Sequence, residues 1–85
     1  MAADVHHKAR VEIFLKAGVL DVQGKAIEGA LHGLGFPGAS NVRMGRLITL
    51  DLATSDRAEA EAEVKAMCDR LLANAVIESY VVNLD

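Results

Sequence analysis

The chain has 85 residues, of which 52% are apolar, 25% charged and 4% aromatic, and nine basic against twelve acidic side chains leave a net charge of −3. A chain of that length is one small domain, hiding only about 60–65% of its unfolded surface when it folds alone, so a staple or a partner surface is expected. One cysteine, Cys68, excludes an internal disulfide and a paired-cysteine metal site, the acidic balance excludes a phosphate-backbone binder, and no apolar run approaches the ~20 residues that span a bilayer.

The segment from Met1 to Lys8 carries no apolar signal core, which points to a reduced, cytoplasmic protein. A single domain over 1–85 is expected, with residues 1–7 frayed. Val11, Ile13 and Leu15 alternate with Arg10, Glu12 and Phe14, the period of a half-buried strand. Lys16 to Gly18 breaks the run, and Asp21 is placed to cap the helix that follows. Ile27, Ala30, Leu31 and Leu34 recur at helical spacing and predict one buried stripe. Gly35 stands where a left-handed cap closes a helix, with Phe36 folding back onto its last turn.

Val42 and Met44 alternate with Asn41 and Arg43, Gly45-Arg46 reads as a tight turn, and Leu47 to Leu52 alternates again. That pattern predicts a hairpin. Ser55 or Asp56 caps a second helix, whose expected seam is Ala60, Val64, Met67 and Leu71, broadened by Cys68 and Leu72. Glu61 and Lys65 make a favourable pair on its wet side. The last strand is Val76 to Leu84, with Tyr80, Val82 and Leu84 on one face.

The order β-α-β-β-α-β predicts an α+β fold, a two-layer sandwich. Its expected form is a mainly antiparallel four-stranded sheet with two helices on one face, the ferredoxin-like pattern. The uncovered face would carry Phe14, Leu47, Thr49 and Val81 among Arg10, Glu12 and Asp51. Such a face is too apolar for water alone, a second reason to expect self-association.

Catalytic chemistry is hard to assemble from these residues. Cys68 falls mid-helix among apolar neighbours, where a thiol packs rather than attacks. His6 and His7 lack a third ligand for a metal, and His32 lies off the apolar stripe. Gly18 to Ala26 resembles a phosphate loop only superficially: five residues separate Gly18 from Gly24, and alanine follows Lys25 where magnesium needs a hydroxyl. Base stacking on such a sheet needs aromatics on the central strands, and Phe14 stands alone. Gly24, Gly29 and Gly33 each cost a helix about 1 kcal/mol against alanine. They are either tolerated, or the side of the helix opposite the stripe, which carries Lys25, Gly29, His32 and Gly33, is a low-relief face against which another chain packs.

Taken together, Lys16-Ala-Gly-Val-Leu-Asp-Val-Gln-Gly24, Ala26-Ile-Glu-Gly-Ala-Leu31, Leu34-Gly-Phe36, Val42-Arg-Met-Gly-Arg46, Leu71-Leu-Ala-Asn74 and Val76-Ile-Glu-Ser-Tyr80 resemble the PurS family, from about Lys8 onward. The resemblance implies the small, non-catalytic subunit of phosphoribosylformylglycinamidine synthase in purine biosynthesis. It implies a homodimer or tetramer that bridges a glutaminase subunit and a large synthetase subunit and supports ammonia transfer between them. ATP and magnesium would be used by the synthetase, with no cofactor or metal held by this chain, no nucleic acid and no membrane. The family often has proline where this chain has Ala17, Val22 and Ala75. The loop Gly18 to Gly24, with Asp21 and Gln23, and the turn Arg43 to Arg46 are candidate contact regions, although turn chemistry alone also accounts for them. Gly29, Gly33, Phe14, Leu47 and Thr49 complete the candidate interface. The rival reading is a small dimeric ligand-binding regulatory module of similar topology.

Overall fold

The computed structural model describes residues 5–85. Strand β1 (His7–Leu15), helix α1 (Val22–Gly33), strand β2 (Gly45–Leu52), helix α2 (Arg57–Met67), a π-helical turn (Cys68–Leu72) and strand β3 (Glu78–Leu84) follow in order. β1 is the centre of a three-stranded antiparallel sheet ordered β2-β1-β3, with Val11 opposite Ile48 on one side and Val82 on the other. Period-two alternation puts Ala9, Val11 and Ile13 on one face, where all three are buried. α2 closes that face with Ala60, Val64 and Cys68, and Ile48, Leu50, Leu72, Tyr80, Val82 and Leu84 pack around them.

The expected four-stranded sheet is therefore one strand short. Gly45 and Arg46 do not form a turn but open β2, paired with Phe14 and Ile13. Residues 41–44 form no strand because their donors are taken from elsewhere. The Val42 N–H donates to Glu28 Oε1 at 3.1 Å and the Met44 N–H to Asp21 Oδ2 at 2.7 Å. Asn41 has a φ of +53°, outside the extended region. Two alternating residues whose N–H groups bind carboxylates have no donors left for a ladder.

Nor do two helices share one face. Asp21 caps α1 as expected, and Gly35, at φ +95°, closes it with the Phe36 N–H donating to the Leu31 carbonyl at 3.0 Å. The helix nevertheless points away from the sheet, and Gly24 is its one buried residue. Leu34 is 74% exposed, Ile27 40% and Leu31 half-buried, so the predicted stripe exists as a pattern but none of it joins the core among the described residues. The molecule measures 49 × 26 × 21 Å with a radius of gyration of 16.7 Å, against about 12 Å for a compact chain of this length.

Smaller differences have local causes. The seam of α2 runs through Ala60, Val64, Cys68 and Leu72, while Met67 and Leu71 are exposed. The π-helical turn, closed by the Ala73 N–H on the Cys68 carbonyl at 3.0 Å, widens the last turn and keeps Leu72 under Cys68. β3 begins at Glu78, two residues later than expected, because Ile77 and Glu78 donate their N–H groups back to the Asn74 carbonyl. Part of the frayed segment expected over 1–7 lies outside the described residues. At its described end, the His6 N–H donates to the Leu52 carbonyl at 2.9 Å, and His7 begins β1.

Candidate functional site

Two stretches of chain join the α1 arm to the sheet, residues 16–21 going out and 42–45 returning. Asp21 sits between them. Its Oδ1 accepts from the Gly24 N–H at 2.8 Å, which is the helix cap, and its Oδ2 accepts from the Met44 N–H at 2.7 Å on the returning stretch. Asp21 is 6% exposed, the one buried polar side chain among the described residues. The hydrogen bond from Met44, then that from Gly24, hold its carboxyl below the usual carboxylate range, with Arg43 helping and burial opposing. Arg43 Nε lies 4.0 Å from Oδ2, and its guanidinium donates to the Leu15 carbonyl at 2.9 Å.

The packing here has no spare room. A Cβ at Gly24 would stand 2.5 Å from the Val42 carbonyl oxygen and 2.7 Å from Asp21 Oδ2, and one at Gly45 would stand 2.9 Å from the Ile13 carbonyl oxygen. These two glycines are required by close backbone approach. Gly18, at φ +90°, supplies the left-handed turn that starts the outgoing stretch.

Two grooves flank Asp21. One, of about 350 Å³, runs between Gly18 and Arg43; the other, of about 180 Å³, holds Phe14, Gln23 and Arg46. Arg46 Nη2 reaches across β1 to Glu78, 3.0 and 3.1 Å from its two carboxylate oxygens, and also donates to the Leu72 carbonyl at 3.0 Å. Glu78 in turn accepts from the Asn74 N–H at 2.7 Å, and that bond chiefly lowers its pKa, with Arg46 contributing. Lys16 Nζ donates to the Ala75 carbonyl at 2.8 Å. The turn at 74–77 is thus fastened to the same end of the sheet.

Of the residues singled out in the sequence, Gly18, Asp21, Gln23, Arg43 and Arg46 line the grooves of this junction, and Gly24 packs between Asp21 and Val42. Phe14 lines its edge, at the end of the open sheet face that Leu47 and Thr49 share. Gly29 and Gly33 stand apart on α1, with nothing within 4 Å of an added Cβ. Sequence reading missed Glu28, which captures Val42, and Glu78. The latter lies inside the Val76-Ile-Glu-Ser-Tyr80 block and one helical turn from Asn74, a spacing that suits a carboxylate closing a turn.

Comparison with known proteins settles the lineage. The PurS family model, phosphoribosylformylglycinamidine (FGAM) synthase, matches residues 8–85. The chain belongs to the PurS family. It is 43% identical over 74 residues to the FGAM synthase subunit PurS of Bacillus subtilis, covering 87% of each chain, and 43% identical to that of Synechocystis sp., covering 87% of this chain and 74% of the other. It is also similar to the crystal structure of Methanocaldococcus jannaschii PurS, one of the subunits of formylglycinamide ribonucleotide amidotransferase in the purine biosynthetic pathway. That likeness has a TM-score of 0.84 at 37% identity, over 93% of this chain and 95% of that one. A chain of the Thermotoga maritima PurLQS structure matches at a TM-score of 0.86 and 28% identity, over 93% and 96%. The chain is thus a PurS subunit of FGAM synthase, in purine biosynthesis. Among the described residues, no helix is long and apolar enough to cross a membrane.

Proposed function

We propose that this PurS subunit is a cytoplasmic, non-catalytic assembly piece. It pairs with a second copy and holds a glutaminase subunit against an ATP-dependent synthetase subunit. One observation carries the reading: an amphipathic helix, α1, whose apolar residues Val22 and Ile27, with Leu34 at its cap, stay exposed and whose Leu31 is only half-buried among the described residues. Exposed apolar surface of that kind marks an interface. A symmetric pair could bury it twice, together with the half-buried Ile48 and Leu50 of β2, where a second helix of the sandwich was expected. The junction residues Gly18 to Gly24 and Arg43 to Arg46, and the open sheet face at Phe14, Leu47 and Thr49, are then the surfaces left for the larger subunits.

The chemistry of the reaction stays with those partners in this reading. The glutaminase releases ammonia, and the synthetase uses ATP and magnesium to place it on formylglycinamide ribonucleotide. Ammonia is protonated and lost to water unless the two sites are held in register. An assembly piece therefore raises the glutamine-dependent rate and leaves the rate with added ammonium salt unchanged. Reconstituting the two large subunits with and without this chain tests it. A glutamine-dependent rate that needs the chain is the expected result. Equal glutamine-dependent rates without it would overturn the proposal, and a metabolite bound by the chain alone would favour a regulatory module instead.

A further inference from the structure

Resting on the reading that α1 mates with a second copy, we propose that Asp21 is the positioning residue that sets the direction of the α1 arm relative to the sheet. The other bonds at the arm do not set that direction. Glu28 with Val42, and His32 with the Ala39 carbonyl at 2.6 Å, tie the returning loop to α1 itself, so they move with the arm. Arg43 bonds to Leu15 from a side chain that is 47% exposed, where water competes for the same groups. Asp21 differs on both counts: it is buried, and while its Oδ1 caps α1 at Gly24 its Oδ2 holds Met44, the residue directly before β2, so it joins the arm to the start of a sheet strand.

A carboxylate suits this position because it accepts on both oxygens and donates on neither. Asparagine caps a helix about as well as aspartate, but its amide nitrogen would face the Met44 N–H, donor against donor. Asp21→Asn therefore separates the two roles, keeping the cap and releasing the returning chain. Gly24→Ala is an independent second variant. It keeps the carboxylate and drives the Val42 carbonyl, 2.5 Å from the added Cβ, out of place.

Residual dipolar couplings of the full-length chain read the angle directly, with amide exchange at Met44 and sedimentation as companions. In the wild type, couplings from α1 and from the sheet should fit one alignment frame. In Asp21→Asn each element should keep its own chemical shifts while the two require separate frames, and exchange at Met44 should rise on the order of tenfold or more. Self-association should weaken on the order of tenfold as well, with Gly24→Ala moving in the same direction. One frame at the wild-type angle in both variants would overturn the proposal, whereas a displaced arm with undiminished self-association would support it and count against pairing through α1. If the wild type is itself monomeric, the pairing reading falls, and the frames still decide whether Asp21 sets the angle.

Discussion

At Asp21 and Glu78 backbone N–H groups and an arginine favour the ionised carboxylate, so both pKa values are lowered on folding. A lowered folded value means that the unfolded chain binds protons first, and stability must fall with acid. The contribution is complete above the ordinary carboxylate range near about 4 and is lost as the pH drops through the lowered folded values. Urea unfolding should therefore separate the wild type from Glu78→Gln clearly at neutral pH, with the gap closing toward about pH 2. A gap that persists in strong acid would mean that the glutamine disturbs packing rather than charge. Val22 offers a prediction of opposite sign. It is the first residue of α1, and Asp21 before it, at φ −96° and ψ 90°, is extended and so outside the helical region that a following proline disfavours. Val22→Pro should stabilise the chain by about 0.4–1 kcal/mol by narrowing the unfolded ensemble, read as a raised denaturation midpoint with an unchanged slope.

Among the elements, strand β1 and the caps of both helices are legible in the sequence because local chemistry decides them. Val11 and Ile13 alternate with Arg10 and Glu12, and Asp21 and Asp56 accept from Gly24 and Glu59, each three residues ahead. The hairpin over 41–52 is not legible, since the carboxylates that take the Val42 and Met44 donors come from 14 and 23 residues away. Periodicity is blind to such a competitor. The stripe of α1 is legible as amphipathic, but spacing says nothing about which chain covers it. Part of the candidate site was readable for a related reason: Asp21 and Gly24 form a local helix cap, whereas Arg46 belongs to β2 rather than to the expected turn and Glu28 acts only through the tertiary fold. The corrected seam of α2 gives a sharp contrast between neighbours in type. Ile13, fully buried beneath α2, should cost about 2–5 kcal/mol on truncation to alanine. Leu71, 83% exposed beyond the seam, should cost no more than about 0.5 kcal/mol in the isolated chain. Thermal unfolding of the two variants checks the assignment, and a large loss at Leu71 would show that the sequence-derived seam was right.

The whole molecule has the proportions of a piece rather than a finished object. Its small length and single, buried Cys68, whose thiol is pushed up by burial, leave stability to one compact core under α2. Further apolar residues, Ile27 and Leu34 among them, lie on an arm, and the chain has a 49 Å long axis. A family whose members are subunits of a larger synthase suits that economy, because an assembly can cover surface that a single chain leaves bare. The most direct measurement is sedimentation equilibrium of the purified chain from the micromolar range upward, paired with Leu34→Glu on the exposed stripe. The wild type should have the mass of a dimer or a larger even assembly, and Leu34→Glu should shift to monomer with its sheet and α2 intact by amide exchange. A wild type that stays monomeric throughout, or a Leu34→Glu variant that associates as tightly as the wild type, would contradict the account.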